Sequence, residues 1–294
     1  MNHPNRPITQ VARDVLSLFK LRIGWMIMIT ALVGMAVTPG PALGWDKVLV
    51  LALSVLLSSA SAGAFNQYHE YQSDRLMDRT KERAFVTGAL PHTPAWLILI
   101  VLLLIGAVTA AAWWLNPLSA TFVFLGAFFY AVVYTVWLKQ RSWLNIVVGG
   151  LAGSFAVLAG AAAVDPAMGP LPFILAAVLF LWTPPHFWSL AIANEAQYKA
   201  AGIPMLPVVV GTQRAAHIVL WSTVALGITA LLPVFWGAGV VYFIAAVLGG
   251  CVFVYKAHQL AQEPSRKTAM GAFFASLVQL SLLLIGATID SLLR

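Results

Sequence analysis

With 294 residues, 61% of them hydrophobic and only 9% charged, this chain has the composition of a polytopic membrane protein. A soluble domain, in which about a quarter of residues carry charge, is excluded. A single cysteine, Cys251, excludes an intrachain disulfide and a cysteine-built zinc or iron–sulfur centre. The net charge of +7 is no nucleic-acid signature, because Lys and Arg fall in short segments between apolar stretches, so no nucleic-acid partner is expected.

Nine apolar stretches of near-spanning length follow in order, at 23–38, 48–67, 95–115, 118–138, 143–164, 171–193, 215–236, 238–256 and 270–289. They predict an all-α, polytopic integral membrane protein with the lipid bilayer as its surroundings. The first stretch is short and is expected to extend into the polar N-terminal segment. The start, M-N-H-P-N-R-P-I-T-Q, shows no cleavable signal peptide. Of the 17 basic residues, all but Lys47 and Arg294 lie at the N-terminus or after an even-numbered stretch. The positive-inside rule then puts the N-terminus in the cytoplasm and the C-terminus outside, in a cell (inner) membrane. Two long polar loops, 68–94 and 194–214, form cytoplasmic caps on a single transmembrane domain spanning 1–294.

The second stretch runs into N-Q-Y-H-E-Y-Q-S-D-R-L-M-D-R-T-K-E-R, residues 66–83, where an otherwise apolar chain concentrates its charge. Charged groups at the end of an apolar span are costly and point to a site. Asn66, Glu70, Asp74 and Asp78 recur every four residues, and Arg75, Arg79 and Arg83 follow the same step. On a helix each such step drifts by about 40°, which gives two adjacent stripes. Asn66, Glu70 and Asp74, extended in part by Asp78, offer oxygen ligands to Mg²⁺, an ion usually held by one or two carboxylates plus substrate phosphates. Arg75, Arg79, Lys81 and Arg83 offer the donors that hold a diphosphate. The plainer alternative is a solvated helix end laced with salt bridges, which does not require Asn66 inside the apolar span. Further on, Gly149, Gly150, Ala152, Gly153 and Ser154 in the fifth stretch permit close helix packing.

The ladder N-x-x-x-E-x-x-x-D followed by R-L-M-D-R-T-K-E-R resembles the first aspartate-rich motif of the UbiA-type intramembrane prenyltransferases. Y-T-V-W-L-K-Q-R at 134–141, N-I-V-V-G-G-L-A-G at 145–153, L-W-T-P-P-H-F-W at 181–188 and A-G-I-P-M-L-P at 201–207 extend the likeness from L-F-K-L-R at 18–22 to the eighth stretch. T-P-P-H-F-W and G-I-P-M-L-P point to the protohaem IX farnesyltransferase branch. The resemblance implies nine helices around a central cavity and a cytoplasmic active site. It implies transfer of farnesyl from farnesyl diphosphate to the vinyl group of haem B, giving haem O. Mg²⁺ would be the cofactor and haem B a substrate. A haem A synthase or a terminal-oxidase assembly factor would be the protein partner. Asn66, Glu70 and Asp74 would hold the metal and diphosphate, with Arg75, Arg79 and Arg83 binding diphosphate or closing the loop. Two departures stand out. Glu70 occupies a position where the family often has Asp, and Gln197, in N-E-A-Q-Y, occupies the end of the usual second acidic motif. Glu195 is the only acid nearby, so one metal or two stays open.

His186 follows Pro184-Pro185, which should kink the sixth helix and open space for a large flat ligand. The histidine could ligate haem iron, bond a propionate, or satisfy carbonyls freed by the kink; the T-P-P-H-F-W match favours a haem-side role. His69, His92, His217 and His258 read as ordinary loop or helix-end residues. Tyr134 and Lys139 read as an interfacial anchor, and the matched pattern adds a diphosphate contact. Trp182, Phe187 and Trp188 are the first candidates to line an isoprenoid path. Three other readings compete: a relative acting on an aromatic quinone or chlorophyll precursor, a transporter, and a haem-binding assembly factor. Charges gathered at one membrane face argue against the transporter, whose ionisable groups usually lie near the midplane.

Overall fold

The structure is a computed structural model that describes residues 7–293; Arg6 and Arg294, which entered the charge bias, and the start of the N-terminal segment lie outside the described residues. Every regular element among the described residues is helical. The first stretch becomes two helices, α1 (Ile8–Leu18) and α2 (Leu21–Val37), meeting at a 46° bend. Their junction is Lys20, a non-glycine residue in the left-handed region at φ 48°. That conformation is uncommon and is held from outside the segment. The Gln67 amide donates to the carbonyls of Ser17 (2.9 Å) and Leu18 (3.1 Å), answering acceptors that the end of α1 leaves free. Gly63 makes room, since a Cβ there would lie 3.4 Å from both the Phe19 carbonyl and the Lys20 side chain.

Helix α3 (Trp45–Asp74) has 30 residues, well beyond the predicted end at 67. At 1.5 Å per residue it is about 45 Å long, against a hydrocarbon core of about 30 Å, so it is longer than a span needs by several turns. Hydropathy falls away after Gln67, but the helix continues because Asn66, Gln67, Glu70 and Asp74 all find partners on other elements. The short α4 (Ala84–Thr87) lies in the first cap, followed by α5 (Ala95–Trp114) and α6 (Pro117–Phe128). Residues Phe129–Leu138 continue α6 as a π-helix, a wide form concentrated at functional sites. Helices α7 (Asn145–Gly149) and α8 (Leu151–Val164) form the fifth span, and α9 (Pro170–Ala193) the sixth. The second cap holds α10 (Glu195–Ala200) and α11 (Leu206–Val210). Then come α12 (Thr212–Thr229) with a 3₁₀ turn at Leu232–Trp236, α13 (Val240–Gln262) and α14 (Arg266–Leu292).

Eight helices among the described residues are long and apolar enough to cross a membrane, and the count rises to nine when the bent α1–α2 pair is taken as one span. Helices neighbouring in sequence pack together around the bundle, and α14 closes the ring by packing on both α13 and α2. Contact between α2 and α8 crosses the ring. There a Cβ on Gly34 would run into the Val157 backbone, and one on Gly160 into the Ala31 carbonyl, so only glycine allows these helices to meet. The small residues of 149–154 serve the same end in part. A Cβ on Gly149 would lie 2.9 Å from the Tyr134 ring and one on Gly150 2.9 Å from the Thr183 side chain, and Ser154 donates to the Ala176 carbonyl. Gly153 faces open space. Small voids lined by Leu175, Tyr242 and Ala287 involve none of the polar ladder residues.

Candidate active site

Asn66, Glu70 and Asp74 are only 2–3% exposed, on successive turns of α3. Such groups need partners, because an unpaired buried charge is expensive. Each has a basic one, supplied by a different part of the chain. Lys20 Nζ, at the α1–α2 bend, donates to Asn66 Oδ1 (2.6 Å) and to the Tyr130 hydroxyl (3.1 Å). Lys139 Nζ, just past the π-helix, meets Glu70 Oε2 at 2.5 Å. Arg83, from the first cap, folds back to Asp74 Oδ2 at 2.6 Å. Asn66 Nδ2 also donates to Thr135 Oγ1 (3.0 Å), whose own proton goes to the Tyr130 carbonyl five residues earlier. The wide turns of the π-helix thus bring Tyr130, Thr135 and Lys139 onto one face opposite α3.

The paired stripes expected on one helix are not what forms. After Asp74 the chain leaves the helix, and Thr80 Oγ1 donates to the Asp74 carbonyl to seal the end. The basic residues therefore diverge. Arg83 reaches the ladder, while Arg79 donates to the Tyr198 hydroxyl (3.2 Å), tying the two caps together. Arg75 lies exposed, its guanidinium 5.4 Å from the Tyr71 ring centre. Asp78 does not extend the ladder: its side chain is 72% exposed and pairs with Lys81 at 2.7 Å. A hydrogen bond from Lys81 holds the Asp78 carboxyl below its usual range and raises the Lys81 ammonium above its own. The first cap is also pinned by His92, expected to be an ordinary loop residue. Its ring stacks between Tyr68 (4.0 Å) and Tyr71 (4.1 Å), and Nε2 donates to the Tyr68 carbonyl (2.9 Å).

Lys20, Tyr130, Thr135 and Tyr198 were not singled out from the sequence. Lys20 carried a signal, being a cation between two apolar runs in L-F-K-L-R, but the others carried none. In the second cap, the Thr212 hydroxyl donates to the Glu195 carboxylate, clasping α10 to the start of α12. Gln197 Oε1 is enclosed without a partner, as are Glu70 Oε1 and Asn145 Oδ1. The ladder itself holds three basic side chains against two carboxylates and one amide.

His186 lies within α9, which stays one element through both prolines. The histidine does not answer the freed carbonyls. Its ring is sandwiched between Trp182 (4.2 Å) and Phe273 (4.5 Å), with Phe187 edge-on, and Nδ1 lies 2.6 Å from Ser276 Oγ on α14.

Residues 27–279 match the UbiA prenyltransferase family. The chain belongs to that family. Among UbiA-family relatives, protoheme IX farnesyltransferase 2 of Paramagnetospirillum magneticum is 53% identical over 94% of this chain and 96% of its own length. Protoheme IX farnesyltransferase of Bartonella tribocorum is 34% identical, covering 100% of this chain and 95% of the relative. The solved structure of a digeranylgeranylglyceryl phosphate synthase superposes with a TM-score of 0.81 at 17% identity, over 97% of this chain and 100% of that one. A UbiA homolog from Archaeoglobus fulgidus bound to DMAPP and Mg²⁺ gives 0.74 at 15% identity, over 92% and 99%. These likenesses establish the UbiA-type helical fold and an integral membrane prenyltransferase.

Proposed function

We propose that this chain transfers the farnesyl group of farnesyl diphosphate to a vinyl carbon of haem B, with addition of water, yielding haem O and diphosphate. The observation that carries a diphosphate-leaving reaction is the ladder, in which three buried oxygen-bearing side chains each face a cation from a separate element. The choice of haem as acceptor is supported by the relatives' names and by the aromatic enclosure of His186. The proposed reaction site lies under two cytoplasmic caps, 68–94 and 194–214, on one transmembrane domain of a cell-membrane protein with its N-terminus in the cytoplasm and its C-terminus outside. Residues 68–74 of the first cap belong to α3.

The residues fit Mg²⁺. Glu70 Oε1 is an enclosed oxygen with no partner, and with Asn66 and Asp74 it would hold the ion. When bound, Mg²⁺ would supply Lewis-acid stabilisation of the departing diphosphate. Lys20, Lys139 and Arg83 would exchange their ladder partners for phosphate oxygens and neutralise charge as the C–O bond ionises. Arg79 would add a donor from the cap and help to close it through Tyr198. The electron-rich vinyl group then attacks the farnesyl cation, and water captures the cation left on the porphyrin side chain, releasing one proton and leaving a hydroxyl. Glu195 is occupied by Thr212, which supports one metal rather than two. The product feeds the class of reaction that oxidises haem O, so a haem A synthase or oxidase-assembly protein is the partner of this reading.

The test is expression in membranes that make only haem B, followed by extraction and chromatography of the haems. A new, more hydrophobic haem of the mass of haem O, dependent on the chain, is expected. Unchanged haem B alongside prenylation of an aromatic acid would transfer the function to the quinone-type acceptor.

A further inference from the structure

The hydrogen bonds around Ser276 assign the proton of His186 to one ring nitrogen. Ser276 Oγ lies 2.6 Å from the Phe273 carbonyl oxygen and 2.6 Å from His186 Nδ1. Two oxygens at that distance need a proton between them, and a carbonyl has none to give. The single hydroxyl proton of Ser276 is therefore spent on Phe273. The contact with Nδ1 also needs a proton, which only the imidazole can provide. His186 is thus the Nδ1–H tautomer, by the logic that assigns tautomers from networks.

Nε2 then carries a lone pair. A second proton there would place an unpartnered N–H and a charge in an apolar box formed by Trp182, Phe187 and Phe273, a costly arrangement. Nε2 has no partner among the described residues, yet it is not one of the sealed unpaired polar atoms, a set that includes Trp188 Nε1 and the Gln279 amide. The ring is held in place from both sides of α9's inner face. Trp182, one turn before His186, donates its indole N–H to the Ser276 carbonyl at 2.9 Å, so two residues of α9 grip one residue of α14.

We infer that Ser276 is a positioning residue that fixes His186 with Nε2 as an electron-pair donor, so that His186 binds haem through its iron and not through a propionate. A propionate carboxylate accepts hydrogen bonds and needs an N–H, which this tautomer does not offer. An iron ligand needs the lone pair, and a ligating histidine ordinarily donates its other N–H to a fixed acceptor, the part Ser276 takes here. The inference rests on the haem reading above and refines it.

Purified full-length protein in lipid nanodiscs would be titrated with ferric haem B, following the Soret band and, in the ferrous nitrosyl form, the nitrogen hyperfine pattern of a ligand trans to nitric oxide. Farnesyl diphosphate binding, measured in parallel, reports folding. We expect His186→Ala to remove the additional splitting from the trans nitrogen, leaving only that of nitric oxide. Ser276→Ala should weaken haem binding about 10–100-fold, raise the KM for haem without changing that for farnesyl diphosphate, and shift the spectrum toward that of His186→Ala. Ser276→Thr, which keeps the hydroxyl, should retain the wild-type spectrum. In ¹⁵N-histidine-labelled protein without haem, the His186 signal should be that of an Nδ1–H ring. If His186→Ala leaves the haem spectrum unchanged, the haem role of His186 falls along with this inference. If His186→Ala changes it and Ser276→Ala does not, or if the apo ring carries its proton on Nε2, the positioning role alone is overturned.

Discussion

Glu70→Gln and Lys139→Met, made singly and together, separate architecture from chemistry at the ladder. Glu70 is 3% exposed, and its Oε2 lies 2.5 Å from Lys139 Nζ. Removing either member leaves an uncompensated charge in a poorly solvated place, a loss of about 3–5 kcal/mol in comparable buried pairs. Replacing both removes the two buried charges and leaves only the Gln amide to satisfy, a cost of about 1–3 kcal/mol. Thermal unfolding in detergent should therefore show both single variants destabilised and the double variant less so than the sum of the two. Activity should not follow stability. If Glu70 binds metal and Lys139 binds diphosphate, each single variant should lose at least about 10²-fold in turnover, the scale of one preorganised electrostatic contact. The double variant should stay inactive although folded. A double variant that regains both stability and farnesyl transfer would show that the pair serves only the fold, and would remove both residues from the mechanism.

Asp74→Asn should also lower turnover at least about 10²-fold, and wild-type activity should vanish with chelator and return with Mg²⁺; a near-normal rate in the variant would remove Asp74 from the site. Arg79→Ala, which cuts the bond to Tyr198, should raise the KM for farnesyl diphosphate while leaving the haem spectrum unchanged, and a changed haem spectrum would contradict that division. Glu195→Gln should cost less than about 10-fold, or under about 1.4 kcal/mol of barrier, because its carboxylate is engaged by Thr212; a loss as large as at Glu70 would restore a second metal site. Asp78, held below its usual range by Lys81, contributes its pairing above the unfolded carboxylate pKa and loses it as pH falls through the lowered folded value. Being exposed, the pair adds little, and Asp78→Asn should leave the rate at neutral pH within about threefold; a drop comparable to Asp74→Asn would return Asp78 to the ladder.

The apolar spans and the oxygen ladder at 66, 70 and 74 were legible in the order of residues, because hydropathy and helical periodicity are local properties. Helix α3 could not be followed past 67 by hydropathy, since the partners that make its polar end tolerable come from α1, the π-helix and the first cap. The same distance hid the cations. A step of four predicted Arg75, Arg79 and Arg83 as one stripe, but that holds only while the helix lasts, and it ends at Asp74. Lys20 and Lys139, 46 and 69 residues from the side chains they meet, reach the ladder only through the bend at Lys20 and the widened turns at 129–138. Ser276, 90 residues from His186, had no sequence mark at all. The sequence by itself determined where charge concentrates, at the ends of apolar spans, because an ionised side chain within a span is costly. Only the tertiary structure decided which charge meets which, because a buried charge is satisfied by whatever the packing of other helices brings within 3 Å, and no local pattern carries that distance.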